Sequence, residues 1–179
     1  DADDDQQGTH IKWTPAVNTA HDREHIRAAI LDGRIDVVAT DHAPHTKEEK
    51  NGSYFNAPSG GPLVQHALVA MLDLVHEGLL PVEKVADLMA HRVARLFRMN
   101  DRGFIRSGMK ADLVLVHPND PWTVHEDNVM SKCGWSPFQG HTFKSRVHET
   151  WVNGTQVWDG QRITTTHGHH VGERLTFAR

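Results

Sequence analysis

The side chains best suited to chemistry in this sequence lie in the segment Thr40-Asp41-His42-Ala43-Pro44-His45. Asp41 directly follows a short apolar run, where burial of a carboxylate is costly unless a cation or hydrogen-bond donors compensate. A metal ion compensates most directly. His45 follows Pro44, which stiffens the turn, and a donor-oriented imidazole at this spacing can bind an anionic substrate group. The segment therefore predicts a metal-ligating carboxylate and an anion-binding histidine.

Simpler interpretations of these residues stay open. Asp41 could be a turn or helix-capping aspartate, and His42 could be any imidazole in a pocket wall. The run Glu48-Glu49-Lys50 most simply indicates a solvated loop face. His167-Gly168-His169-His170 contains a His-x-His pair, but it follows no apolar strand, so we expect a polar tail there.

The elements predicted around the motif are those of a parallel α/β fold. A helix is expected from Thr19 to Gly33, a buried strand over residues 35–40, a long loop over 41–61, and a helix from Pro62 to Gly78. Two shorter helical patterns follow at 82–91 and 93–99. This order matches the end of a parallel barrel or open sheet. Ligands bind at the carboxyl ends of strands in such folds, and Asp41 lies at one of them.

The pattern changes near residue 100, where we place a domain boundary. Strands are predicted at 112–116, 122–124, 150–152 and 156–158, and Asn153-Gly154 is a strong two-residue hairpin signal. We therefore predict two domains, residues 1–100 and 101–179, the second being a small, mostly antiparallel β subdomain. We expect Trp135-Ser136-Pro137-Phe138 to pack within this subdomain.

Composition and charge restrict the class of protein. With 179 residues, 38% of them hydrophobic and 23% charged, the chain is an ordinary globular protein rather than a disordered one. A net charge of -4 gives no reason to expect a nucleic-acid or membrane partner, and no apolar run approaches the ~20 residues that span a bilayer. The single cysteine, Cys133, fits a reducing compartment, so we expect a cytoplasmic protein. The acidic start without Met suggests a piece of a longer protein.

Two segments resemble the dihydroorotases of the amidohydrolase superfamily: Thr40 to Lys50, and Ala57-Pro58-Ser59-Gly60-Gly61-Pro62-Leu63-Val64-Gln65-His66. Further similar segments are Lys12-Trp13-Thr14-Pro15, Arg102-Gly103-Phe104-Ile105, Ala111-Asp112-Leu113-Val114-Leu115 and Lys132-Cys133-Gly134-Trp135-Ser136-Pro137-Phe138. The resemblance extends from about residue 9 to the C-terminus. Related hydantoinases and allantoinases tend to lack a histidine four residues after the aspartate. A carboxylate-bearing substrate calls for that histidine.

The resemblance implies a fold and an activity. The fold class is α/β, here the C-terminal part of a (β/α)8 metal-dependent hydrolase barrel with a small β-sandwich-like subdomain. The family interconverts N-carbamoyl-L-aspartate and L-dihydroorotate in pyrimidine biosynthesis, usually with one or two zinc ions. Zinc lowers the pKa of a bound water towards about 7, which provides a nucleophile at neutral pH.

The resemblance also implies roles for individual residues. Asp41 corresponds to the aspartate at the end of strand 8, a metal ligand and the general acid/base, and His45 to the histidine that contacts the substrate carboxylate. Ser59 and Gly60 lie where the loop backbone contacts the pyrimidine ring. Thr14 falls where an asparagine usually helps to hold the substrate, so it departs from the pattern.

The family's other metal ligands match no segment of this chain, and one carboxylate does not hold a zinc ion. We therefore expect the chain by itself to be inactive. Two alternatives stay open for the complete protein: another cyclic amidohydrolase of the hydantoinase or dihydropyrimidinase type, or a non-catalytic homologue that serves as an assembly partner. A homo-oligomer is compatible with each of them.

Overall fold

A computed structural model describes residues 8–165 and 171–178, so the His-x-His pair at 167–169 lies outside the described residues. The helices are α1 (Ala20–Asp32), α2 (Lys47–Lys50), α3 (Ala67–His76), α4 (Val82–Ala86) and α5 (Arg92–Leu96), with a π turn at Asp87–His91 and 3₁₀ turns at Gly8–Ile11 and Glu126–Asn128. The strands are β1 (Leu113–His117), β2 (Trp122–Thr123), β3 (Thr142–Phe143), β4 (Arg146–Val152) and β5 (Thr155–Trp158). None of the helices in the described ranges has the length and apolar character needed to cross a membrane.

The chain divides into two compact units, each assembled from several segments. Of the described residues, the first contains 8–35, 39–70 and 123–143, and the second contains 36–38, 71–122, 144–165 and 171–178. All residues singled out as candidate site residues belong to the first unit: Thr14, Asp41, His45, Ser59 and Gly60. The boundary near residue 100 stays a prediction.

Helix α1 begins and ends where the sequence predicts. Thr19 is its N-cap, because its hydroxyl accepts a hydrogen bond from the Asp22 amide while the Asp22 carboxylate accepts one from the Thr19 amide. Gly33 closes the helix with a φ of 85°, the left-handed conformation that favours glycine. The prediction of this helix is confirmed.

The strand predicted over residues 35–40 is not formed, so this prediction is wrong. The segment is extended, but no strand among residues 8–165 and 171–178 pairs with it. The Val38 amide instead donates to the Leu88 carbonyl at 3.2 Å. Because a strand satisfies its backbone groups only through a neighbouring strand, an apolar β-branched sequence alone does not make one.

The loop at 41–61 is present, with the four-residue helix α2 inside it. Thr46 caps α2 by accepting a hydrogen bond from the Glu49 amide, and the Glu49 carboxylate accepts one from the Thr46 amide. The helix predicted from Pro62 begins later, at Ala67.

The second unit contains an antiparallel sheet of order β1-β4-β5. The hairpin between β4 and β5 turns at Asn153-Gly154, whose φ angles of 48° and 78° are those expected for such a turn, so the hairpin prediction is confirmed. β5 is flanked on its outer side by the Thr164 amide, which donates to the Val157 carbonyl. The described residues contain this sheet and a separate β2-β3 pair, and a β-sandwich stays a prediction.

Candidate active site

Asp41 lies at a sharp turn of the backbone. Its φ of 44° is in the left-handed region, which non-glycine residues adopt at a cost. The residue is exposed, and its carboxylate has no hydrogen-bond or ion-pair partner in the described part of the chain. The expected burial of this carboxylate is therefore not observed, because neither a paired strand before it nor any other described segment covers it. Desolvation consequently does not by itself require a cation at Asp41.

His42 ties this turn to the segment before α3. Its Nδ1 accepts hydrogen bonds from the backbone amides of Leu63, at 3.0 Å, and Val64, at 3.2 Å. The Ala43 amide donates to the Gly61 carbonyl at 3.2 Å, next to a parallel bridge between His42 and Gly61. His42 is thus more than part of a pocket wall, because its ring satisfies two amides that have no helical partner.

The structure brings His45 and Ser59 together. Nε2 of His45 lies 3.2 Å from the Ser59 carbonyl oxygen, which can only accept, so this nitrogen is the donor. Nδ1 lies 3.6 Å from Glu49 Oε2. The side chain remains 30% exposed. Nε2 is therefore engaged as a donor to the loop in this structure, and the anion-binding role of His45 stays a prediction.

Lys50 is completely buried, so the prediction of a solvated face is wrong for this residue. Its Nζ donates to the backbone carbonyls of Lys12, Pro58 and Gly60, each at 3.0 Å. The Thr9 hydroxyl donates to the Lys50 carbonyl. Burial, with a contribution from the Lys12 charge, lowers the pKa of the Lys50 ammonium. Three carbonyl oxygens match the three N–H donors of an ammonium group, which explains how a lysine is accommodated there.

Gly60 and Gly61 allow other segments to approach the loop closely. A Cβ on Gly60 would lie 2.7 Å from the Ala43 Cβ, and the φ of 117° at Gly60 disfavours a side chain in any case. A Cβ on Gly61 would lie 2.6 Å from the Trp13 indole and 3.0 Å from the Trp135 indole. The absence of side chains at these two positions therefore brings Trp13, Ala43 and Trp135 against the loop.

Trp135 belongs to the candidate site, although no sequence pattern indicates this. Its Nε1 donates to the His45 carbonyl at 2.7 Å, and its ring meets His10 edge-on at 4.7 Å between centroids. The expectation that this segment packs within the β subdomain is wrong for Trp135, whereas Phe138 does pack on Phe143, at 5.2 Å between ring centroids. The segment at 132–138 is one of those that resemble the dihydroorotases, but nothing in its sequence indicates a contact with residue 45.

The structure does not bring Thr14 into this cluster. The residue is exposed, and its side chain makes no hydrogen bond within the described ranges. It precedes Pro15 through a cis peptide bond. Its predicted contact with substrate stays a prediction.

A pocket of about 430 Å³ lies beside the motif. It is lined by His42, Pro44, Thr46, Glu49, Ser131, Lys132 and Cys133. Side chains of both charge signs, Glu49 and Lys132, face it. None of the five candidate site residues is among its lining residues, so this pocket is a neighbour of the candidate site.

The described residues offer one candidate ligand for a metal ion. The Asp41 carboxylate is a suitable oxygen donor for zinc. However, no three His, Cys, Asp or Glu side chains within the described ranges lie close enough together to hold a metal ion. These residues alone therefore do not make a complete zinc site.

A buried histidine lies in the same unit as the candidate site. His66 is 1% exposed, its Nδ1 lies 3.2 Å from the Ser136 hydroxyl, and its ring stacks on Phe143 at 5.7 Å. Burial lowers the pKa of His66 to about 4. The ring is therefore neutral at physiological pH and acts as part of the aromatic core.

The fold is that of a group of cyclic-amide hydrolases with solved structures. An L-hydantoinase (dihydropyrimidinase) from Arthrobacter aurescens matches with a TM-score of 0.83 and 26% identity, over 88% of this chain and 36% of that one. A D-hydantoinase (dihydropyrimidinase) from Thermus sp. matches with a TM-score of 0.81 and 24% identity, over 87% and 35% respectively. The described structure is thus a partial α/β fold of the kind found in these barrel enzymes.

The sequence defines the family. Residues 51–158 match the model of the amidohydrolase family, and this chain belongs to that family. A dihydroorotase from Halobacterium salinarum is 43% identical over 167 residues, which are 93% of this chain and 39% of that protein. A dihydroorotase from Clostridioides difficile is 37% identical over 153 residues, 85% of this chain and 36% of that protein. The chain thus spans about two-fifths of the length of the curated relatives it matches.

Proposed function

We propose that this chain is the C-terminal part of a dihydroorotase-like, metal-dependent cyclic amidohydrolase of the (β/α)8 type. The complete enzyme would interconvert N-carbamoyl-L-aspartate and L-dihydroorotate. The observation that supports this most directly is the contact between His45 Nε2 and the Ser59 carbonyl oxygen at 3.2 Å, because it joins the proposed carboxylate-binding group to the proposed ring-binding loop. The similarity to dihydroorotases over most of the chain supports the same substrate.

Asp41 is the proposed proton carrier. In ring opening it accepts a proton from the attacking water and delivers it to the leaving ring nitrogen, and in ring closure it takes the proton from the carbamoyl nitrogen. The exposed carboxylate is free of competing partners in the described part of the chain, so it is available for this role. Zinc, as one or two ions in the complete enzyme with Asp41 among the ligands, would supply an acidified water molecule.

His45 is the proposed ligand of the substrate carboxylate. Its Nε2 is a hydrogen-bond donor in this structure, and an N–H donor of this kind can bind a carboxylate oxygen. Ser59 and Gly60 are proposed to contact the pyrimidine ring through their backbone. Thr14 is proposed to assist from the preceding segment, with a hydroxyl in place of the amide that relatives use there.

A hydantoinase-type activity is the second candidate, because solved structures of similar fold bear that name. Hydantoin and dihydrouracil have no carboxylate. His45 would then have no charged partner on the substrate, which makes this candidate the weaker one.

The test is a substrate panel with the complete protein loaded with zinc. We expect L-dihydroorotate to be hydrolysed with a higher kcat/KM than dihydrouracil or hydantoin, and His45→Ala to raise the KM for dihydroorotate. Faster turnover of the neutral rings would favour the second candidate. No turnover of any of them would indicate a non-catalytic homologue.

A further inference from the structure

Lys50 is the buried lysine of the loop at residues 41–61. We propose that Lys50 is a positioning residue whose ammonium group sets the geometry of the substrate-binding loop 58–61. This inference rests on the proposed function, since it assigns a role to that loop in binding. Lys50 itself is inaccessible to substrate, because it is 0% exposed.

The contacts of Lys50 join three separate segments at one atom. Nζ donates to the carbonyls of Lys12, Pro58 and Gly60, each at 3.0 Å. The Lys12 carbonyl also accepts from the Gly60 amide at 3.0 Å, so this oxygen is shared between Lys50 and the loop. Each end of residues 58–60 is therefore fixed by the same charged group. Hydrogen bonds of this charge-assisted kind are about twice as strong as neutral ones.

A shift of the loop at residues 58–61 would move both proposed substrate-binding groups, the backbone of Ser59 and Gly60 and the side chain of His45. Ser59 lies between the two bonded carbonyls, and its own carbonyl orients His45 Nε2 at 3.2 Å. Gly60 passes close to Ala43, in the segment that contains Asp41 and His45. Lys50 thus acts on His45 through Ser59, without touching the substrate.

The charge of Lys50 has no carboxylate partner within ion-pair distance in the described part of the chain. A buried cation bonded only to neutral carbonyls is a costly way to gain stability. Three N–H donors in a single group are the geometric feature that an apolar side chain of similar length cannot replace. We therefore attribute the presence of a lysine at position 50 to its effect on the loop geometry rather than to stability alone.

The experiment compares Lys50→Met and Lys50→Gln with the parent in the complete, zinc-loaded protein. The matched control is Lys47→Met, because Lys47 lies on the same helix but is exposed and paired with Glu126. The measurements are KM and kcat for L-dihydroorotate, hydrogen exchange of peptides covering residues 56–62, and the melting temperature. A misplaced binding loop is expected to raise KM at least about tenfold in the Lys50 variants, with a smaller change in kcat.

We expect faster hydrogen exchange over residues 56–62 in both Lys50 variants, together with the change in KM. The control Lys47→Met should behave like the parent protein. Unchanged KM with only a lower melting temperature, or loss of folding in both Lys50 variants, would overturn the inference in favour of a purely structural role. Unchanged exchange over 56–62 would overturn it as well. If the parent protein does not hydrolyse dihydroorotate, the proposed function fails, whereas hydrogen exchange over residues 56–62 still decides whether Lys50 sets the geometry of the loop.

Discussion

The indole Nε1 of Trp135 donates a 2.7 Å hydrogen bond to the backbone carbonyl oxygen of His45. The two residues are far apart in the sequence, and the bond fixes the backbone at the end of the Asp41–His45 segment. The imidazole of His45 is then directed to Ser59 by its own ring nitrogen. Backbone and side chain of His45 are thus oriented by two different partners.

Trp135→Phe removes this hydrogen bond while it retains an aromatic ring. We expect a loss of about 1 kcal/mol in the free energy of unfolding, because a partly buried carbonyl loses its donor. In the complete protein the KM for dihydroorotate should also rise. Trp151→Phe is the control: it also loses an indole hydrogen bond, to Glu149 at 2.8 Å, but in the second unit. Equal effects of the two substitutions on KM would contradict the role of Trp135.

Asp41→Asn tests the proposed proton carrier. Asparagine has the same shape and tolerates the left-handed φ of 44°, so folding should be retained. We expect kcat for dihydroorotate in the complete protein to fall by at least about 100-fold, because the amide cannot accept a proton. Circular dichroism and the melting temperature check the fold. A kcat near that of the parent would remove Asp41 from the mechanism.

Gly61→Ala tests the close approach of two indoles. The added Cβ would lie 2.6 Å from the Trp13 ring, so neighbouring segments must shift, at a cost of about 1–3 kcal/mol. No left-handed φ complicates this position. Gly172→Ala is the matched control, since its Cβ would meet nothing within 4 Å. Urea unfolding of both variants measures the difference, and equal stabilities would show that the packing at Gly61 is loose.

His66 predicts a specific pH dependence of stability. Burial lowers its pKa from 6.5 to about 4 in the folded protein, so between these pH values the unfolded chain binds more protons at this position. Stability should therefore fall as the pH falls from 6.5 to about 4, by at most about 3 kcal/mol. The free energy of unfolding at pH 5 and 7.5 measures the effect, which His66→Gln should reduce. His21→Gln, at an exposed position, should not; if both act alike, the burial of His66 is not the cause.

Local signals in the sequence were enough to predict much of the fold. Thr19 and Asp22 define the start of α1 and Gly33 its end, because capping depends only on neighbouring residues. Asn153-Gly154 likewise predicts the hairpin, since positive φ angles at two successive positions restrict the residue types. The strand at 35–40 could not be judged in this way, because its formation depends on a partner that no local pattern specifies.

The roles assigned to the site residues stay predictions, and the residues that hold the segment in place were not predicted from the sequence. The order of Asp41, Pro44 and His45 suggested a carboxylate and a donor histidine, and the His45–Ser59 contact agrees with that pairing. Lys50 was missed because a lysine after two glutamates is usually solvated, and its burial follows from carbonyls distant in sequence. Trp135 was missed for the same reason.

Strand β1 is an edge strand of the three-stranded sheet, and its residues Val114 and Leu115 are 47% and 46% exposed. The backbone N–H and C=O groups along such an edge can form hydrogen bonds with a strand from another molecule. We expect this edge to be a site of self-association at high protein concentration, and Val114→Lys to reduce it.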